Sequence, residues 1–329
     1  MAARVAVEDA RDRVAVALGA RPREVVFTSG ATESIAAASF GAARSRGAHS
    51  VLAGVEHSAV REWAARGDHT IVPVDGVGRV DVDATGDVVG DDTGIVHCQW
   101  GNHEVGTLQP VEAVVAAVDG RTPVHSDAAA AVGHVPISFG DSGVDLMSVS
   151  AHKFGGPTGA GALLVRRGLR IDPLLVGGDQ ERARRAGMED VAAVVGFAAG
   201  LEAAVAAMDE ESARSRELTD RVVEWAATFD GVAVVGDPAG RLPHIVCLTI
   251  DGIEPQPVLL ALDQAGVAVH SGSSCSSESI EPSPVLEAMG VDAQRSLRVS
   301  VGWSSTGEDI DRLLDVLPRT IAELRSLRG

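Results

Sequence analysis

Apolar residues recur along this chain in two alternating rhythms. From Val5 to Leu18, Val, Ala and Leu return every three to four residues, the spacing of one helical face; "EVVFTSG" then gives a short apolar run that predicts a buried strand, and Ser34 to Arg44 returns to helical spacing. The alternation continues. Short runs "SVLAGV", "TIVPV", "GIVHCQW" and "TPVHSDA" are separated by helical stretches such as Ser58 to Ala65 and Val111 to Val118. Strands alternating with helices predict an α/β fold whose large, mostly parallel sheet is flanked by helices. Near Met188 a long Ala/Val/Glu helical region begins and runs past Trp225; "GVAVVG", "HIVCLTI", "GVAVHSG" and "SLRVSVG" then alternate with two helical runs. The reading is a large domain over residues 1–205 and a smaller α+β domain over 206–329. Asp75 to Asp92, rich in glycine and acid, is expected to be a surface excursion.

Composition narrows the function. With 329 residues and 45% hydrophobic positions, the chain can fill a sizeable core. The formal net charge of −18 repels polyanions, so nucleic acid is a poor default partner. The opening "MAARVAVEDARDRVAVALGA" lacks the apolar centre of a signal peptide, and no stretch reaches about 20 uninterrupted apolar residues; a cytoplasmic location and no membrane partner are expected. The three cysteines, Cys98, Cys247 and Cys275, form no CxxC pair, so neither a metal nor a redox disulfide is expected.

Ligands of an open α/β sheet gather at the carboxyl ends of its strands, and several polar motifs fall there. "FTSGATES" puts Gly30, Ala31 and Thr32 at the start of a helix, which suits a phosphate; taken alone, an ordinary helix cap fits as well. "VHSDAAAA" ends a strand on Asp127, where a helix cap is again the plain alternative. Lys153 tips the balance. It is the only lysine in the chain, although exposed lysines are easily exchanged for arginine; what arginine cannot do is form a Schiff base. A buried amine of lowered pKa, an upstream carboxylate and a phosphate-suited helix start are the parts of a pyridoxal 5'-phosphate (PLP) site.

Taken in order, "FTSGATES", "VEHSAV", "HSDA", "MSVSAHKFGGPTGAGALLVRRG", "GGDQER", "SGSSCSSESIEPSPVLEAMG" and "SLRVSVGW" resemble the cysteine desulfurases of the class V, fold-type I aminotransferase superfamily. The resemblance implies a PLP enzyme in which Lys153 forms the Schiff base, Asp127 partners the ring nitrogen and His57 stacks on the ring and moves protons. It implies phosphate contacts from Thr32, Ser150, His152 and the Ala31 amide, and a substrate carboxylate gripped by Arg298. Cys275, in the apolar-poor "HSGSSCSSES", matches the nucleophile on a mobile loop; Cys98 and Cys247, in apolar runs, read as buried core thiols. The implied reaction turns L-cysteine into L-alanine and leaves a persulfide on Cys275 for a sulfur acceptor protein, such as an iron–sulfur scaffold or a thiolation enzyme. A homodimer is implied too.

The chain also departs from that pattern. The family's N-terminal segment before the first helix is missing, so an additional chain could complete the site. Ala130 stands where a Gln normally bonds the ring oxygen, and Met188 where a Thr reaches a phosphate across the dimer. His103 replaces an Asn near ring and substrate, with Asn102 just before it; His103 is expected at the cofactor and Asn102 at the substrate. A partner-dependent or non-catalytic paralogue, a selenocysteine lyase and a class V aminotransferase on the same scaffold are the competing readings.

Overall fold

The computed structural model describes residues 1–271 and 282–327. Two compact units divide the chain. The first comprises Met1–Pro73, Val80–Gly101 and Gln109–Met208; the second comprises Val74–Arg79, Asn102–Leu108 and Asp209–Gly329.

In the first unit, helix α1 (Ala2–Ala17) precedes β1 (Val25–Thr28) and α2 (Ala31–Ser45). There follow β2 (His49–Ala53), α3 (Ser58–Ala64), β3 (His69–Val72), α4 (Val82–Asp87), β4 (Thr93–His97), α5 (Val111–Val118), β5 (Val124–Asp127), β6 (Leu146–Ser150) and β7 (Gly161–Val165). The seven strands form one sheet in the order β1-β7-β6-β5-β4-β2-β3. Strands β6, β5, β4, β2 and β3 run parallel, and β7 is antiparallel to both β6 and β1. Two reversals restore direction. The carboxyl ends of β1, β6, β5, β4 and β2 therefore share one edge, which is where a ligand site forms. β4, β5, β6 and β7 are buried at every position, as strands in the middle of a sheet covered on both faces are.

In the second unit, β8 (Val232–Val235), β9 (Ile245–Ile250) and β10 (Ser296–Ser300) form an antiparallel sheet in the order β10-β9-β8. It packs with α7 (Pro255–Gln264) and α9 (Gly307–Ser326) around Leu248, Val258, Leu297, Leu313 and Leu317. The short α8 (Pro284–Ala288) begins at Ser283, whose hydroxyl accepts the Leu286 N–H. Helix α6 (Val191–Thr228) runs from one unit into the next. It is long and apolar enough, by length and composition, to cross a membrane. Within this chain it buries Phe197 and Leu201, while its Glu202 pairs with Arg13 of α1.

Three expectations need correction. Among the described residues of "GVAVHSG" there is no regular strand: Gly266 has φ +76°, and His270 alone bridges, to Arg298. The acidic stretch after Asp75 contains α4, with Thr85 and Val89 buried, so it is only partly a surface excursion. Val74–Arg79 and Asn102–Leu108 also join the second unit, so the two units interleave in sequence.

Candidate active site

The turn from β1 into α2 is built to leave amides open. Gly30 is the N-cap with φ 151° and supplies no side-chain cap to the first turn, which carries Ala31 and Thr32. A Cβ on Gly30 would stand 3.6 Å from Ser150 Oγ, and one on Gly161 would come within 2.5 Å of Gly30 Cα. The φ of Gly30 favours glycine there, and at Gly161 any side chain would collide with the Gly30 backbone. Behind the turn, Arg11 is 2% exposed and grips Glu181 with both terminal nitrogens, at 2.7 and 2.6 Å. Glu181 Oε2 also accepts the Phe27 N–H at 2.8 Å, and Arg11 donates to the Val25 carbonyl at 2.9 Å. On the exposed side, Glu33 accepts from Ser29 N and from Arg185 Nε. Burial raises the Glu33 carboxyl, but Arg185 and the Ser29 hydrogen bonds outweigh it and hold it below the usual range. The turn is braced from α1 and from the segment after Gln180.

Next along the edge, β6 ends on Ser150, whose hydroxyl shares a hydrogen bond with His152 Nδ1 at 3.0 Å. His152 and Lys153 lie in the short 3-10 turn Ala151–Phe154, and both are exposed. This corrects the expectation of a buried amine: the fold gives Lys153 an open position at the strand end. Its charge still reaches Asp127 and, with burial, lowers His152. Asp127 ends β5, 8% exposed, and accepts the Ala129 N–H at 3.0 Å. Burial raises its pKa, opposed by His57, the Ala129 amide and Lys153. His57 is the N-cap of α3, its Nδ1 accepting the Ala59 N–H at 3.0 Å. That bond spends the Nδ1 lone pair, so the neutral ring carries its proton on Nε2. Ala31, Thr32, His57, Asp127, Ser150, His152 and Lys153 all fall at this one edge.

Asn102, His103 and Arg298 belong to the second unit. Arg298 Nη1 donates to the His103 carbonyl at 3.0 Å. Asn102 is fully buried, and its Oδ1 accepts the N–H groups of Glu104 and Val105, so this oxygen is committed to the chain's own turn. His103 Nε2 lies 3.6 Å from Glu104 Oε1. Cys275 lies outside the described residues. The other two thiols are buried: Cys98 is raised well above its ordinary value, and Cys247 is pushed up to about 12, by burial first in both cases. Ala130 is half-buried and Met188 is 87% exposed.

Sequence reasoning passed over Glu56. It is 1% exposed, accepts the Gln99 N–H at 2.6 Å, and adjoins His57. Its only sequence signal is an acid set directly after the apolar run "SVLAGV".

Comparison with known proteins fixes the family. The family model described as "Aminotransferase class-V" matches residues 1–313. The chain belongs to that family. A protein named "IscS-like cysteine desulfurase" from Mycobacterium tuberculosis is 43% identical over 98% of this chain and 87% of its own length. One named "Cysteine desulfurase IscS" from Methanosarcina thermophila is 40% identical over 98% of this chain and 83% of its own. Among solved structures, one titled "NIFS-LIKE PROTEIN" superposes with a TM-score of 0.90 at 32% identity, covering 98% of this chain and 88% of that one. Class V members are PLP-dependent. The residues present suit that cofactor: the uncapped start of α2 can take its phosphate, and a buried carboxyl with raised pKa gains from a cationic ring nitrogen.

Proposed function

We propose that this chain is a PLP-dependent cysteine desulfurase, with Cys275 as its sulfur-accepting nucleophile. The observation that carries the reading is the gathering, at one sheet edge, of the chain's only lysine, a buried Asp127 within its electrostatic reach and an uncapped helix start. Similarity to proteins named cysteine desulfurase supports the same chemistry and disfavours an aminotransferase or a silent paralogue.

Lys153 would hold the cofactor's aldehyde carbon, Asp127 its ring nitrogen, and the Ala31 amide, Thr32, Ser150 and His152 its phosphate. When bound, PLP supplies an electron sink for the charge left at the substrate's α-carbon. Lys153 Nζ, once displaced by the amine of L-cysteine, is free to carry the α-proton, and His57, with its proton on Nε2, serves as a donor at that atom. Arg298 grips the carboxylate of L-cysteine, with Asn102 and His103 near substrate and ring. Cys275 Sγ, as a thiolate, attacks the substrate sulfur: the S–S bond forms, the C–S bond breaks, and its electron pair stays on carbon, which gains a proton to give L-alanine. Both described thiols are buried and have raised pKa values, which supports assigning this step to Cys275. The persulfide passes to an acceptor protein, an iron–sulfur scaffold or a thiolation enzyme, and the enzyme works as a cytoplasmic homodimer. The test is purified chain given PLP, L-cysteine and a thiol reductant that releases the persulfide's outer sulfur as sulfide: a cofactor absorbance band and equal yields of alanine and sulfide are expected. A protein that takes up no cofactor overturns the reading.

A further inference from the structure

Glu56 takes no part in the chemistry above, yet it precedes His57 and lies within electrostatic reach of Asp127. Oε1 accepts the Gln99 backbone N–H at 2.6 Å, and Gln99 Nε2 donates to the Val55 carbonyl at 2.6 Å. The segment after β2 and the segment after β4 are thereby stitched together on both sides of this carboxyl. Oε2 is buried and has no hydrogen-bond partner among the described residues. An ionised carboxylate in such a place would spread a full charge over two oxygens with one donor between them, at a cost a neutral acid largely avoids.

The charged and titratable neighbours relieve it only in part. Asp127 faces Glu56 from β5 with like charge, His57 from the start of α3, and the Cys98 thiol from the end of β4. Burial pushes Glu56 up to about 8; the Gln99 amide opposes this, Asp127 adds to it and His57 opposes it. Two neighbouring buried carboxyls resist ionising together. Asp127 needs its charge to face a cationic ring nitrogen, so Glu56 is the one to stay neutral.

We propose that Glu56 is a positioning residue that works as an uncharged carboxylic acid, anchoring the turn that carries His57 and leaving Asp127 the sole negative charge against the cofactor's ring nitrogen. The last part rests on the PLP-dependent reading; the anchoring and the retained proton belong to the cofactor-free chain.

Infrared spectra of the full-length cofactor-free chain test the proton. At pH near 7 the wild type should show the C=O stretch of a protonated acid, fading as pH rises through about 8, and Glu56→Gln should remove it. Asp127→Asn should keep it, which separates the two carboxyls. Amide exchange tests the anchor: the Gln99 N–H should exchange at least about tenfold faster in Glu56→Ala and stay slow in Glu56→Gln, whose amide oxygen accepts the same bond. With PLP bound, the pH titration of the cofactor's absorbance should contain a step near 8 that Glu56→Gln lacks. Absence of the acid band at pH 7, or a Gln99 amide unmoved by Glu56→Ala, overturns the proposal. A chain that keeps the band but binds no PLP overturns the proposed function and the Asp127 part, and leaves the anchor standing.

Discussion

Lys153, Asp127 and Cys275 divide the chemistry so that single changes should separate it. Lys153→Arg keeps a positive charge but cannot bond an aldehyde, so the protein should fold and fail to hold PLP covalently; reduction with borohydride followed by mass spectrometry reads this. Cys275→Ser should retain the cofactor band and lose at least about a hundredfold in sulfide release, since a serine hydroxyl is a far weaker nucleophile toward sulfur. Unchanged sulfide release would remove Cys275 from the mechanism. Glu56 gives a stability prediction of its own. Its folded pKa of about 8 lies above the ordinary 4.5, so the unfolded chain loses this proton first, and stability falls as pH climbs through that window. Glu56→Gln should flatten the fall and raise the unfolding midpoint at pH 8, by denaturant titration. Lys153 was legible because its isolation in an arginine-rich chain is a sequence fact. Glu56 was not, because a lone acid in sequence gives no sign that both its oxygens are shut away from water.

Elements carry the geometry that no single residue has. The β1–α2 turn holds its place because Arg11 on α1 and Glu181 close a buried ion pair that also takes the Phe27 N–H. Removing one partner leaves the other charged and dry. Arg11→Ala should cost about 3–5 kcal/mol in urea unfolding, more than the exposed pair of Arg319 and Asp315 on α9, worth about 0–1 kcal/mol. A second buried polar line runs from α2 across three strands: Ser39, His97, His125 and Ser148 are linked in turn by hydrogen bonds of 3.4, 2.9 and 2.8 Å. Burial lowers His97 to about 3, and His125 well below its ordinary value. Neutral in the folded chain and protonated in the unfolded one, His97 should make stability fall as pH drops from 6.5 toward 3, and His97→Gln should soften that loss. Period and apolar runs made most elements readable, including the strand that ends on Asp127. "GVAVHSG" misled because short apolar runs satisfy strand spacing without having ladder partners, and α4 hid because its six residues include Gly86 and two acids.

At the scale of the whole molecule, interleaving was the part the sequence concealed. Val74–Arg79 and Asn102–Leu108 leave the first unit and return, a property of chain path that leaves no compositional mark. It explains why Asn102 and His103 sit with Arg298 in the second unit although they follow directly on β4. The charge balance also acts globally: 28 basic against 46 acidic residues give −18, so moderate salt should raise the thermal midpoint by screening self-repulsion. Lys153 has a further use at this scale. Because it is exposed and is the single lysine of this sequence, it is the one side chain here that an amine-directed reagent targets. Labelling stoichiometry would therefore count occupied sites directly, each protected Lys153 registering one molecule whose amine is already engaged.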